Sequence, residues 1–508
     1  MPISYSVTID HNDDGDFSDS GEDITSDVID MRWQLGMANT YDNMARPSTA
    51  QITLRNHDRS HSPEVNSLQS GKPIRIQSDD GTTTRTHFTG FISHIDVTTG
   101  ENGTQVTVIH AHDLADWFAD NQVRLDAQID ASADSVIEAI LDSVQVRRKV
   151  LDGFMIIGRT GNNLIGTHKL FGASLTHSLE TGKSVFAYLG DTWGDGISAD
   201  RAIEQLSRSE SGRFFINREG EAIFYNRHHT LKNTTTQATF SDDMEGLAYR
   251  YGAEVINQVE ITLIPRRIGI ANSTLWTTTS TQRLQPQATR RIIARFHDSN
   301  DNPSGALTVI DPLPDVDYTV NTLQDGSGYD VTDYVDVVII ERGAGSVILE
   351  IQNHLPISLY LQSLTLRGTP IEQDEPLTLM QHDQGSITDY GIRNLRLTLP
   401  ALTAIDEADQ RARYEVGRRK DPRGIIRALH TSTRSHPSET LALTLFDHIT
   451  ITETQTGHNA SYVIINEAHH VDKGATRHRV SWALEPADGD VFFIIGVNDL
   501  DGSHVLAY

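Results

Sequence analysis

The residues best suited to do chemistry stand near the start of the chain. Asp10, Asn12, Asp14 and Asp16 alternate around Gly15, and Glu22 and Asp23 follow in the same loop. Oxygen donors at alternate positions suit a hard cation such as calcium, which takes ~6–8 oxygens, and a glycine permits the sharp turn. The D-x-N-x-D-G pattern fills the first half of such a loop. Its twelfth position, where a bidentate Glu is needed, is Gly21, so Glu22 or Asp23 has to substitute. The expectation is a calcium site built from Asp10, Asn12, Asp14, Asp16, Glu22 and Asp23. The plainer alternative is a solvated turn between two strands.

Other constellations are less complete. Gly182-Lys183-Ser184 is similar to the end of a phosphate-binding loop, but position 177 is His where that loop needs Gly. His110 and His112 share one strand face with spacing that suits zinc, while Asp113 falls on the other face. No H-E-x-x-H helix and no G-x-S-x-G elbow occurs. Paired carboxylates for sugar hydrolysis are spaced in three dimensions, so they cannot be recognised from sequence. Cysteine is absent, which removes disulfides, thiol nucleophiles and thiolate metal sites. Arg266, Arg267, Arg290 and Arg291 read as ion-pair partners rather than a nucleic-acid contact.

The elements that must position these residues are mostly strands. Short alternating runs rich in Val, Ile, Thr, Phe and Tyr recur, as at Ser4–Ile9, Ala50–Leu54, Val255–Leu263, Val347–Ile351 and Leu441–Ile451, bounded by Gly, Asp or Asn turns. RFFINREGEAIFYNR reads as a hairpin turning at Glu219 and Gly220. Three helices are expected: Ser132 to Val144, Ser198 to Ser209, and Thr403 to Arg419. The last has Thr403 and Asp406 in capping-box spacing and a basic C-terminal end.

At 508 residues the chain predicts three or four domains. Its 69 acidic and 42 basic residues give a net charge of −27, a field that repels nucleic acid and anionic membranes. No secretory signal and no apolar run of ~18 residues is visible, so no membrane-spanning helix is expected.

The most informative feature is a weak internal repeat between residues 71–113 and 446–488. Each copy has an Ile-x-Ile strand (Ile74/Ile76, Ile449/Ile451), a turn and an apolar strand. A His-aliphatic-Asp motif follows (His94-Ile95-Asp96, His470-Val471-Asp472), then a further alternating strand. This predicts a duplicated small β-barrel, and two such barrels per subunit allow a trimer to build a ring of six near-equivalent units.

At these residues the sequence resembles the tail hub, or tail-associated, proteins of tailed phages and related injection machines. DHNDDGDFSDSGEDIT, MARPSTAQITLRNHDRSHSPE and FTGFI resemble the first barrel of such hubs. SGRFFINREGEAIFYNR and EVINQVEITLIPRR resemble their middle portion. SITDYGIRNLRLTLPALTAIDEADQRARYE and LTLFDHITITETQTGHNASYVIINEAHHV resemble their second barrel.

The implied fold is mainly β with α+β elements. It has a first hub-like β-barrel at 1–120, an α+β domain at 121–250 and a strand entering the second barrel at 251–275. An inserted β-sandwich at 276–370, a second barrel with lead-in helix at 371–490 and a C-terminal tail at 491–508 complete it. The implied function is a non-enzymatic virion protein, a homotrimeric hub at the tail tip that is assembled in the host cytoplasm. It adapts a threefold tip to a sixfold tube and lets DNA through. Its partners would be tail tube or distal tail proteins, a tape measure protein and a tail fibre or receptor-binding protein. Two other classes stand beside this: a tip-borne cell-wall or capsule glycan hydrolase, and a calcium-dependent glycan-binding adhesion protein.

Overall fold

The structure, a computed structural model, describes residues 3–65, 68–98, 105–144, 176–298, 302–472 and 477–487, with the backbone of short strand fragments within 159–174 and 492–506. The 491–508 tail lies, but for two such fragments, outside them. The protein is mainly β, in several sheets.

Twelve strands form one continuous sheet. Six are N-terminal: β1 (Ser4–Ile9), β2 (Val28–Gly36), β3 (Thr49–Arg55), β4 (Pro73–Asp79), β5 (Thr84–Thr98) and β6 (Val106–His112). Six come later: β7 (Thr236–Ser241), β8 (Gly246–Tyr251), β9 (Gly424–Ser432), β10 (His448–Glu453), β11 (His458–Val471) and β12 (His478–Pro486). The path runs β1-β4-β5-β6-β3-β2-β11-β12-β9-β8, with β10 on β11 and β7 on β10. The two halves therefore repeat one order: β1-β4-β5-β6-β3-β2 corresponds to β7-β10-β11-β12-β9-β8. Inward residues of both halves, such as Ile76, Trp33, Ile451 and Trp482, share one apolar core.

Two closed barrels are the expectation from sequence; the sheet is instead open. The outer edge of β1 is taken by the loop before β2, where Ile9 N donates to Glu22 O (2.9 Å) and Ile24 N to Val7 O (3.0 Å). The outer edge of β2 is taken by β11. With both edges occupied, the first half cannot close on itself.

The repeat is real in strand order but shifts in register. β5 carries a bulge against β6 between Ile92 and His94, and β11 carries one against β12 between Ile464 and Asn466. Ile74 and Ile449 sit opposite Gly90 and Tyr462, each three residues before the bulge residue. The Ile-x-Ile segments thus correspond, while His94 corresponds to Asn466 rather than to His470.

A second core is built from helices and two small sheets. α1 (Ala133–Ser143) buries Val136, Ile137, Ile140 and Leu141, and α2 (Ala199–Glu210) buries Ala202, Ile203 and Leu206, the faces their spacing predicts. Arg213–Ile216 and Ala222–Tyr225 pair as the expected hairpin, with Gly220 at φ +84° in its turn. α3 (Ile405–Arg419) packs on the sheet of Leu377–His382, Gln258–Leu263 and Asn394–Thr398. It starts one residue later than the capping-box spacing suggests. Ala404 is its N-cap, without a side-chain hydrogen bond. Similarly, Pro437 at the first helical turn makes Pro437–Ala442 a helix, so the following strand begins only at His448.

A third core lies between a three-stranded sheet (Thr289–Arg295, Ser346–Asn353, Val335–Arg342) and a six-stranded sheet organised around the long strand Leu359–Gln373.

Candidate functional site

Polar chemistry concentrates where the two halves of the large sheet meet. β2 and β11 run antiparallel from Met31 opposite Val471 to Gly36 opposite Asn466. Gly36 has φ +102°, and a Cβ there would collide with the Ile465 carbonyl oxygen, so this end of the seam requires glycine. Beneath the seam, Trp33 lies on His469 with ring centroids 4.9 Å apart. His469 Nδ1 is 2.8 Å from His478 Nε2, and His478 Nδ1 is 2.9 Å from the Tyr5 hydroxyl. His87 Nε2 is 2.7 Å from Ser78 Oγ. Burial pushes all three histidines below their ordinary range, His87 and His478 well below, so they are neutral in the fold.

One ion pair is buried beside them. Arg218, in the turn of the 213–225 hairpin, donates through Nε (2.8 Å) and Nη2 (2.5 Å) to the Glu467 carboxylate on β11. It also donates to the Leu441 and Leu443 carbonyls. Burial raises the Glu467 carboxyl, but the adjoining Arg218 and His469 together more than reverse this and hold it at about 2. The partners are 249 residues apart, beyond the reach of local pattern. The signal in the sequence is Glu467, a carboxylate at an inward position of an alternating strand.

The acidic loop is a ladder of side-chain to backbone hydrogen bonds. Asp10 is fully buried; its Oδ2 accepts from Gly15 N (2.9 Å) and its Oδ1 has no partner. Glu22, also buried, accepts from His11 N and Asp19 N. Asn12 Nδ2 donates to Asp14 (3.0 Å) and to Asp19 (2.9 Å), a residue absent from the sequence-derived set. Asp14 accepts from Asp16 N, Asp16 from Ser18 N, and Asp23 from Thr25 N outside the ladder. The structure thus turns Asp14, Asp16 and Asp23 to neighbouring amides and Asp10 and Glu22 to amides across the loop, and among the described residues these carboxylates form no group of three within ligand distance of one another.

The histidine and phosphate-loop candidates resolve differently. His110 meets His94 and Asp96, not His112; the three ligand atoms lie within 4.8 Å of one another. The His94 and His110 rings are stacked 7° from parallel, so their in-plane lone pairs run side by side rather than converging on one ion. His112 instead faces Asp116 (3.3 Å), and Asp113 is buried as the cap of the turn that follows. The backbone amides of Gly182, Lys183 and Ser184 do cradle anions, but these are the carboxylates of Asp134 and Glu210. Arg266 forms a fully buried pair with Asp191, Arg267 pairs with Glu372, and Arg291 with Glu350.

No protein-family model matches the chain, and no curated protein matches it. The solved structures it is similar to include tail proteins. The 43 kDa tail protein of prophage MuSo2 from Shewanella oneidensis is 9% identical with a TM-score of 0.48, covering 96% of this chain and 99% of that one. A tail protein from Neisseria meningitidis MC58 is 7% identical with a TM-score of 0.49, covering 96% and 97%. Prophage tail protein gp18 from Listeria monocytogenes EGD-e is 9% identical with a TM-score of 0.42, covering 94% of each chain.

Proposed function

We propose that the chain is a structural tail component, a homotrimeric hub at the distal end of a phage-type tail tube, with no catalysis of its own. The observation that carries this reading is the seam within the large sheet. There β2 of the first unit adds to β11 of the second, beyond its bulge. The counterpart of β2 is β8, and the counterpart of β11 is β5. Among the described residues β8 has no strand on its outer side, and β5 has none on its β4 side beyond Ile92.

Repeating the seam between chains sets a register. Gly252 (φ +68°), just after β8, takes the place of Gly36. Tyr249 of one chain then falls opposite Val97 of the next, as Trp33 falls opposite His469, and Arg250 falls opposite Asp96. The inward and outward faces agree, and the one charged pair is of opposite sign. Val97 (46% exposed) and Tyr251 (68% exposed) are apolar side chains that such a contact covers. Three chains so joined give a ring of six near-equivalent units, threefold by chain and sixfold by fold.

In this reading the partners are tail tube or distal tail proteins, a tape measure protein and a tail fibre or receptor-binding protein. DNA passes transiently through a bore whose negative field does not hold it. The chain is assembled in the host cytoplasm and resides at the virion's tail tip.

Because the chain has no cysteine, an introduced pair reports without background. The double variant Asp96→Cys, Arg250→Cys should oxidise to a closed trimer on denaturing gels, and neither single variant should. Absence of any cross-link in the double variant contradicts the register.

A further inference from the structure

Where α3 and Asn394–Thr398 approach the large sheet lies a cavity of about 480 Å3. Seven arginines line it, against the carboxylates of Asp42, Glu415 and Glu485, in a chain whose net charge is −27. Most of these arginines are matched. Arg213 and Arg418 share Glu485, while Arg208, Arg227 and Arg396 pair with Glu204, Glu407 and Glu260 outside the lining.

Arg411 is not matched. It is 6% exposed, and its Nη1 donates only to the carbonyls of Arg208 (2.8 Å) and Ser209 (3.4 Å). Its Nε has no partner, and no carboxylate pairs with it among the described residues. Arg419, 7% exposed, lies over the Tyr41 ring at 4.7 Å and sets its Nε 3.5 Å from the Glu415 carboxylate, but its Nη1 has no partner. Buried guanidinium donors left unmet are costly, and a carboxylate is the group whose geometry satisfies them.

The wall beside them is a strand edge. Asn394–Thr398 pairs on one side only, with Gln258–Thr262. Four consecutive residues, Leu395 to Thr398, line the cavity. Side chains of a strand alternate between its faces, so four in a row touch one space only when the strand presents its edge. Unpaired backbone groups on such an edge accept an added strand.

We infer that this cavity binds an extended, carboxylate-bearing peptide segment of a partner protein, which adds as a strand to the edge of Asn394–Thr398 and delivers a carboxylate to Arg411 and Arg419. This reading does not depend on the trimeric ring. The partner is a protein rather than a nucleic acid, because the strand edge pairs with backbone amides, which a nucleic acid lacks.

The probe is a fluorescein-labelled alternating Val-Glu hexapeptide, titrated into the full-length chain and followed by anisotropy. The expected result is saturable binding that falls at least ~10-fold when Glu is replaced by Gln in the peptide, and likewise in Arg411→Gln. Binding should be lost when alternate peptide nitrogens are methylated, which blocks strand addition without touching the protein. Arg291→Gln, on the surface of the sandwich, should bind as the wild type does. Equal affinity for the Glu and Gln peptides, or no loss on methylation, overturns the proposal. So does full competition by inorganic phosphate at equal concentration, which marks a plain anion site. If the full chain fails to bind but a chain ending at Ala487 binds, the occupant is the segment that follows Ala487, and a separate partner is ruled out.

Discussion

The indole of Trp33 on β2 lies 9° from parallel with the imidazole of His469 on β11, so the two halves of the large sheet are joined by stacked rings as well as by backbone hydrogen bonds. The seam is therefore a packed core, not an edge contact. Truncation there removes a large buried side chain. Trp33→Ala should cost about 3–5 kcal/mol, read as a fall in the urea midpoint of the transition that melts this sheet. A shift under 1 kcal/mol, of the order of a surface substitution, would mean that the seam contributes little.

Arg218 and Glu467 make the seam asymmetric in its tolerance. Glu467→Gln leaves a buried guanidinium with one charge partner fewer and should destabilise by about 3–5 kcal/mol. Replacing both at once, Arg218→Met with Glu467→Leu, removes both charges and should recover most of that loss. Thermal melts of the three proteins check this; a double variant as unstable as the single one would show that shape, not charge, dominates.

The same cluster sets a pH dependence. His87, His469 and His478 have folded values below ~6.5, the ordinary value that applies in the unfolded chain. Below that pH the unfolded state binds more protons than the folded one, so stability is full above ~6.5 and is lost as pH falls. Glu467, held at about 2, adds a loss that starts below its ordinary 4.5. Melting temperature should therefore drop between pH 7 and 5. His478→Gln should flatten the slope by up to about 1.4 kcal/mol per pH unit. An unchanged slope would place the titration elsewhere.

The acidic loop makes a prediction about calcium. The free Asp10 Oδ1 stands ready as an oxygen donor in a loop that also covers the β1 edge. Calcium at about 100 times its dissociation constant should stabilise the chain by about 2.7 kcal/mol, and Asp10→Asn should abolish this. Melting curves with calcium and with chelator decide it; superimposable curves for the wild type would leave the loop as a turn.

What was legible in the sequence was local. Val136, Ile137, Ile140 and Leu141 recur at helical spacing, and Gly220 permits the turn of the 213–225 hairpin, so α1 and that hairpin fall where expected. The fate of strand edges was not legible, because no local pattern states that β2 will add to a strand over 400 residues away instead of closing on β1. The repeat shows the same limit. Ile74 and Ile449 correspond, but the bulges at Ser93 and Ile465 fix the register, and the His-aliphatic-Asp match falls four residues out of it. Of the acidic loop, Asp10 and Glu22 were readable as candidates, while Asp19 joined only through the fold. Arg411 carries no sequence signal; only the missing carboxylate around its buried guanidinium distinguishes it.

The central claim, that β8 of one chain continues the sheet of the next at β5, is tested most directly by the native mass of the full-length chain in solution at micromolar concentration. The account predicts a species of three times the chain mass. It should be lost in Arg250→Asp and in Asp96→Arg and restored when both changes are combined. A chain that remains a single copy, or a trimer indifferent to both reversals, would contradict it.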